Sequence, residues 1–223
     1  MGALVAVTGI RPSRAEMEGK EMAKSVWVSA AMVDEKRMMP MRSDIALTNV
    51  DDAVEAIRQN NSGVSLPKDR FPNEVFGSSD SGTFEELPDF FSADGYWVVS
   101  EACAKVFKGF DLESGGLYPV RIFQKDRKTP VPGDYYCLNF GSVKEAFQPE
   151  GSPKAYKSQH GGDFWMPPFV VKDGDIAVSE AALAGSDLWV DPKIMSVFFV
   201  SGGLAKALKA AKINLGLRRC RIS

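Results

Sequence analysis

The only histidine of the 223-residue chain, His160, is the first residue to weigh as a catalytic group. A Cys/His or Ser/His enzyme would need it as the base, with Cys137 or a serine of a loop as the nucleophile. No sequence motif of a known enzyme family surrounds the candidate nucleophile. No histidine, cysteine or carboxylate cluster has the spacing of a metal site, and the glycine pairs form no phosphate-binding or dinucleotide-binding motif. The sequence therefore predicts a protein that is not an enzyme, with no catalytic, cofactor-binding or metal-binding residues.

The three cysteines, Cys103, Cys137 and Cys220, argue against a secreted protein. They are odd in number and widely spaced, so they predict neither a disulfide framework nor a zinc site, and a reducing cytoplasm fits them best. The longest apolar runs are far shorter than a membrane span, and no basic residue precedes the mildly apolar segment 1–10, which we therefore do not interpret as a signal peptide. With 44% hydrophobic and 25% charged residues, the composition is that of an ordinary soluble protein.

Charge is strongly segregated along the chain, although the net charge is only −2. Residues 71–101 hold seven Asp and Glu residues and no Lys or Arg, whereas residues 192–223 hold seven Lys and Arg residues and no acid. Either these segments are solvated or pair with each other, or one of them attracts a charged partner. We select Asp80, Glu85 and Glu86 as candidate partner-binding residues. Nucleic acid is a poor candidate partner, because no aromatic residue interleaves with the C-terminal lysines and the isoelectric point is about 5.6.

The segment 164–169, Phe-Trp-Met-Pro-Pro-Phe, concentrates aromatic side chains beside a glycine-containing loop. These residues either pack into the core at the start of the following strand or form an exposed ridge that anchors a partner. The second interpretation is physically reasonable because Trp, Met and Phe are enriched at the centres of protein interfaces. On that interpretation we select Trp165, Met166 and Phe169 as candidate partner-binding residues.

Two stretches of the chain share one pattern of residues. Residues 97–108 resemble residues 198–209, each stretch is followed by a glycine, and Ser100 and Ser201 occupy corresponding positions. The pattern is typical of a buried strand, a serine helix cap, an amphipathic helix, a glycine exit and a second strand. We therefore predict two similar strand–helix–strand units. We also predict that four side chains of the second unit and of the segment before it are buried together: Trp189, Phe199, Leu204 and Leu208.

Strands and helices interleave along the rest of the chain without a sustained βαβ rhythm, which predicts an α+β fold. Residues 65–93 are predicted to form a long irregular stretch, and 169–178 a hairpin with its tight turn at Asp173-Gly174. For the domain organisation we predict an N-terminal extension of unclear role over 1–25. An α+β domain would then cover 26–223, with a hinge between two lobes near 147–162.

Short motifs scattered from residue 71 to the end of the chain resemble those of a known family. They are Leu87–Phe90 ahead of Val98–Ser100, then Tyr135–Asn139, Ser186–Pro192, Val197–Ser201, Leu204–Ala211 and Gly216–Leu217. Together they resemble immunity family eleven of bacterial polymorphic toxin systems, long catalogued as a domain of unknown function.

The resemblance implies a cytoplasmic protein that binds and neutralises a cognate toxin, without catalysis or a cofactor. Its partner would be the toxin protein, with no membrane partner, and self-association into a homo-oligomer stays open. Two other classes also stay open: a small-molecule-binding or enzymatic domain of unrecognised type, and a structural or regulatory interaction protein. A deep polar pocket containing His160 and a carboxylate would favour the small-molecule or enzymatic class.

Overall fold

A computed structural model describes residues 24–159 and 162–223, so His160 and most of the predicted N-terminal extension lie outside the described residues. The described part contains four α-helices and fifteen strands. The helices are α1 (Asp44–Thr48), α2 (Val50–Asn61), α3 (Glu101–Phe107) and α4 (Gly202–Ala210). The strands are β1 (Val26–Ser29), β2 (Met38–Met39), β3 (Met41–Ser43), β4 (Glu74–Gly77), β5 (Phe90–Ala93), β6 (Tyr96–Ser100), β7 (Gly116–Phe123), β8 (Tyr135–Asn139), β9 (Tyr156–Lys157), β10 (Trp165–Met166), β11 (Ala177–Val178), β12 (Leu188–Asp191), β13 (Ile194–Ser201), β14 (Leu217–Arg219) and β15 (Arg221–Ile222).

The strands form two large sheets and one small one, which confirms the predicted α+β class. The seven-stranded sheet has the order β2-β5-β6-β8-β7-β4-β3. The six-stranded sheet has the order β14-β1-β13-β10-β9, and β12 pairs with β13 beside this path. Strands β11 and β15 form a small parallel pair.

The two repeated stretches contain the same order of elements. In the first, β6 leads into α3 and then β7, and β8 lies between the two strands, antiparallel to both. In the second, β13 leads into α4 and then β14, and β1 lies between them, again antiparallel to both. Superposition of the two complete units stays a prediction.

Both helices of the repeated stretches begin at the predicted serine caps. The Oγ of Ser100 accepts a hydrogen bond from the backbone N–H of Cys103 at 3.2 Å, and the Oγ of Ser201 accepts one from Leu204 at the same distance. Each serine has an extended backbone, so its side chain can turn back onto the first helical turn. Each cap provides an acceptor for an N–H group that has no partner within the helix. The prediction that Ser100 and Ser201 cap these helices is confirmed.

The largest core cluster draws on both large sheets and on both of these helices. It includes Trp97 and Phe107 from the first stretch and Phe198 and Leu208 from the second, all buried. The ring of Phe90 stacks on Trp97 at 5.0 Å between centroids and also contacts Phe198 at 5.4 Å. Because one apolar cluster contains side chains of both sheets, the sheets share a core.

All four side chains that were predicted to be buried together are buried, but they lie in two different clusters. Trp189, Phe199, Leu204 and Leu208 are each 0% exposed. However, the two leucines pack in the cluster between the sheets, whereas Trp189 and Phe199 stack at 5.7 Å in a cluster on the opposite face of β13. Successive residues of a strand point to opposite faces, so Phe198 and not Phe199 joins the helix.

Replacing Leu208 by alanine is expected to lower the free energy of unfolding by about 2–5 kcal/mol, because it removes buried methyl groups and leaves a cavity beneath α4. Urea unfolding followed by circular dichroism measures the change. Lys206→Ala, an exposed position on the same helix, is the matched control and should change stability by less than about 0.5 kcal/mol. Equal stability of the two variants would contradict the packing described here.

The predicted hairpin over 169–178 is wrong. Only its last two residues form a strand, β11, and they pair in parallel with β15. The Asp173-Gly174 turn exists, with φ of +78° at Gly174, but it contacts a distant segment. The Oδ1 of Asp173 accepts a hydrogen bond from the N–H of Arg219, and the N–H of Gly174 donates to the carbonyl oxygen of Arg219, both at 2.8 Å. The Asp173-Gly174 pair therefore predicted the turn correctly, but the two strands of a hairpin do not flank it.

Candidate partner-binding surfaces

Residues 65–93 are less irregular than the sequence predicted, because β5 forms their last four residues and β4 interrupts them. That strand pairs with β3 on one side and with β7 on the other, which fixes its position in the seven-stranded sheet. The segment 78–89 between β4 and β5 remains a loop, here called the acidic loop. It carries the three candidate acids Asp80, Glu85 and Glu86.

Hydrogen bonds hold the acidic loop at several points. The N–H of Ser78 donates to the carbonyl oxygen of Pro40 at 2.8 Å. Farther along, the side-chain amide of Gln124 bonds both backbone groups of Phe84, at 2.9 Å from the N–H and 2.7 Å from the carbonyl oxygen. The side chain of Leu87 is buried, which fixes the end of the loop to the core. The loop therefore presents its acids from a defined backbone.

The six acids between residues 74 and 94 fall into two groups. Glu74 forms an ion pair with Arg121 from β7. Asp89 accepts a hydrogen bond from the Ser100 hydroxyl at 2.5 Å. Asp94 accepts bonds from the N–H and the hydroxyl of Ser43, at 2.9 and 2.7 Å. The other three, Asp80, Glu85 and Glu86, are exposed and form no ion pair within the described residues.

The basic residues of the C-terminal segment form no ion pairs with these three exposed acids among the described residues. Across residues 24–159 and 162–223, no ion pair joins the acidic segment 71–101 to the basic segment 192–223. Lys125 contacts the loop, where its Nζ donates to the carbonyl oxygen of Ser79 at 2.5 Å. The acidic loop thus presents three exposed carboxylates that form no ion pair among the described residues, and Lys125 is bound to its backbone.

The aromatic segment 164–169 divides between core and surface. Trp165 lies in β10, where it pairs with Lys157 and Ile194, and its ring is 6.2 Å from that of Phe147. Met166 is half-buried in the same strand. By contrast, Phe169 is 98% exposed. Trp165 therefore helps to fix the segment, and Phe169 is its outward-facing aromatic residue.

Two further apolar residues belong to this region and were not selected from the sequence. Tyr156, 54% exposed, lies opposite Met166 in the β9–β10 pair. Met195, 45% exposed, follows Ile194, the partner of Trp165. Both come from segments distant in sequence from the aromatic run. Only knowledge of the strand pairing could have grouped them with it.

The two groups of candidate residues belong to different sheets. Asp80, Glu85 and Glu86 lie between strands of the seven-stranded sheet, whereas Trp165 and Met166 lie in the six-stranded sheet. No strand pair or ring contact in the described part of the chain joins the acidic loop to the segment 164–169. We therefore treat them as two candidate surfaces.

Lys144 is a half-buried base that the sequence did not single out. Its Nζ lies 3.6 Å from the centroid of the Trp189 ring and donates to the carbonyl oxygen of Ser186 at 2.7 Å. Burial lowers the pKa of this amine to about 8, while nearby carboxylates oppose the shift. Because the amine is directed at a ring and a backbone carbonyl, its position is that of a packing contact and not of a nucleophile.

The three cysteines are free and buried. Burial raises the pKa of the Cys103 thiol to about 12, so this thiol is protonated and a weak nucleophile at neutral pH. The described residues contain no group of three or more His, Cys, Asp or Glu side chains that could hold a metal ion. None of the helices in this part of the chain combines the length and the hydropathy of a membrane span.

The immunity protein family (Imm11) matches residues 21–217 of the chain. The chain belongs to this family. No curated protein matches it. The match covers the acidic loop, the aromatic segment and both serine-capped helices, and it begins well before residue 71, where the resemblance seen in the sequence begins.

Membership of the immunity protein family indicates an immunity function and, in general, a toxin as partner. In a member of such a family, the buried residues maintain the fold. Outward-facing side chains are therefore the ones available to recognise a partner, and the acidic loop and Phe169 are both of this kind.

Proposed function

We propose that this protein is a non-catalytic immunity protein of the cytoplasm that binds and neutralises a cognate toxin through its acidic loop. The observation that carries the proposal is the set of three exposed carboxylates, Asp80, Glu85 and Glu86, on a loop held by hydrogen bonds. Family membership supports the immunity role, and three unpaired cysteines support a reducing compartment.

The exposed carboxylates favour a toxin with a basic surface. Such a surface is expected on toxins that act on nucleic acid, because they must bind a polyanion. Opposite charges at the rim of an interface mainly accelerate encounter, and salt screens this effect. Their contribution should therefore appear in the association rate.

Phe169 has a different role in this proposal. An almost fully exposed phenylalanine can bury its ring against a partner, and aromatic anchors of this type mainly slow dissociation. Trp165 and Met166, both partly buried in β10, lie shortly before it in the chain. In this proposal the acidic loop accelerates association with the toxin, and Phe169 slows dissociation from it.

Reversing the three charges, with Asp80, Glu85 and Glu86 all changed to lysine, is expected to slow association with the toxin by at least about tenfold at low salt. It should also flatten the dependence of the association rate on ionic strength. Phe169→Ala should instead raise the dissociation rate and leave association nearly unchanged. Stopped-flow mixing with the product of the neighbouring toxin gene, at two ionic strengths, measures both rates.

A matched control reverses three exposed acids elsewhere, Asp134, Glu150 and Glu180, which also form no ion pair within the described residues. The net charge changes equally, so slower association only in the acidic-loop variant assigns the effect to the loop. Thermal melts of both variants check folding. An unchanged association rate with a lowered melting temperature would mean that the loop acids stabilise the fold, and the proposal would be wrong.

A further inference from the structure

A pocket of about 420 Å³ opens beside helix α4. It lies between that helix, the segment 211–216 that follows it, and strands β1 and β14. Ile213 and Leu215 are buried in its wall, and half-buried Trp27 and Leu217 complete the apolar surface. This volume falls within the range of small-molecule sites, which is about 300–1,000 Å³.

The charged residues of the pocket are all basic. Among the described residues, Lys209, Lys212 and Arg218 contribute to its lining, and no Asp or Glu does. The guanidinium of Arg218 is held by the carbonyl oxygens of Val171 and Leu217, at 3.2 and 2.9 Å. Both lysines are exposed, and neither forms an ion pair within the described residues. Their charges are therefore available to a ligand.

Lys212 occupies a backbone position that favours glycine. Its φ is +60°, and the N–H of the next residue, Ile213, donates to the carbonyl oxygen of Leu208 at 3.0 Å. This is the left-handed position that ends a helix, where glycine is the usual residue because any Cβ is strained. The chain thus carries a lysine at the mouth of the pocket although glycine would fit the backbone better.

We propose that this pocket binds an amphiphilic carboxylate such as a medium-chain fatty acid. The aliphatic body lies against Trp27 and Leu217, and the carboxylate lies at the mouth near the ammonium groups of Lys209 and Lys212. Apolar walls with a few polar groups that orient the ligand are the usual composition of such a site. The site is distinct from the acidic loop and does not depend on toxin binding.

Isothermal titration calorimetry with decanoate, below its micelle concentration, tests the proposal on the full chain. One molecule should bind per chain. Decyltrimethylammonium, with the same body and the opposite charge, and acetate, with the charge but no body, should each bind at least about tenfold more weakly. Absence of decanoate binding, or equal binding of the cationic analogue, would overturn the proposal.

Lys212→Gly separates binding from folding. Because glycine suits the φ of this position, the variant should be at least as stable as the wild type, yet bind decanoate about threefold more weakly. Reversing both charges, Lys209→Glu with Lys212→Glu, should weaken binding at least about tenfold. The control Lys68→Glu with Lys128→Glu changes the net charge equally outside this pocket and should bind normally. Wild-type affinity in the Lys209/Lys212 reversal would sink the idea.

Tryptophan emission locates the ligand. Trp27 is the tryptophan that lines the pocket, so decanoate should change the emission of the wild-type protein. In Trp27→Phe the emission change should disappear while calorimetry still detects binding. An emission change that persists in this variant would place the ligand elsewhere and contradict the assignment.

Discussion

Asp191→Ala is expected to lower the free energy of unfolding by roughly 2–6 kcal/mol, with about 1–3 kcal/mol for each of two buried amides left without a partner. The Asp191 side chain lies at the end of β12 and the residue is only 3% exposed. Its Oδ2 accepts hydrogen bonds from the N–H groups of Ala146 and Phe147, both at 2.7 Å, and its Oδ1 accepts one from Lys193 at 2.9 Å. One carboxylate therefore ties the turn after β12 to a segment distant in sequence.

Two further variants make the Asp191 prediction specific. Asp191→Asn keeps one acceptor oxygen, so its loss should be smaller than that of the alanine variant. Asp173→Ala removes an exposed carboxylate that accepts a single backbone bond, from Arg219, and should cost less than either. Urea unfolding at neutral pH ranks the three. A loss below about 1 kcal/mol for Asp191→Ala would show that its amide partners find other acceptors.

The second large effect is expected above pH 9, where the protein should lose stability steeply. Burial raises the pKa of Cys103 from 9.0 to about 12 and raises those of Cys137 and Cys220 well above their usual range. Well below pH 9 all three thiols are protonated in both states, and the stability is fully present. Above it, the unfolded chain releases protons that the folded chain retains, so unfolding becomes easier by about 1.4 kcal/mol per pH unit for each thiol.

The three thiols together would therefore lower stability by about 4 kcal/mol per pH unit between roughly pH 9.5 and 11. Lys144 opposes them. Its pKa is lowered on folding, so between about pH 8 and 10.5 the unfolded chain binds the extra proton and stability rises. This gain is reduced by the solvent that reaches a half-buried amine, and the net slope should remain negative.

Cys103→Ala isolates one thiol. The variant loses some packing at every pH, but its stability should fall less steeply, by about 1.4 kcal/mol per pH unit less than that of the wild type. Urea unfolding at several pH values from 8 to 10.5, with a reducing agent present, gives both slopes. Equal slopes would mean that the Cys103 thiol ionises as easily in the folded state as in the unfolded chain.

Features decided by neighbouring residues were predictable from the sequence. Ser100 and Ser201 cap their helices because a serine side chain reaches an N–H group three residues ahead, whatever the rest of the fold does. The burial of Leu204 and Leu208 followed from their separation of one helical turn. The grouping of Phe199 with these leucines was wrong because the alternation of the strand decides which face it joins.

Features decided by distant partners were not predictable. The acids of residues 74–94 look alike in the sequence, yet Glu74 and Asp94 are engaged by residues that only the sheet brings near. Likewise, the segment 164–169 contains nothing that distinguishes half-buried Trp165 from exposed Phe169 before the strand pairing is known. The sequence therefore indicates candidate segments, whereas the pairing of distant strands decides which of their side chains face outward.

The position of β1 has a consequence for the order of events during synthesis. This strand is synthesised long before its two neighbours, β13 and β14, which lie far along the chain from it. Until they emerge, Val26 and Val28, both buried in the finished protein, have no sheet to join. Pairings between segments so far apart in the chain form slowly, because a long loop must close first. The seven-stranded sheet, whose strands all precede residue 140, can assemble beforehand and serve as the surface on which the rest is completed.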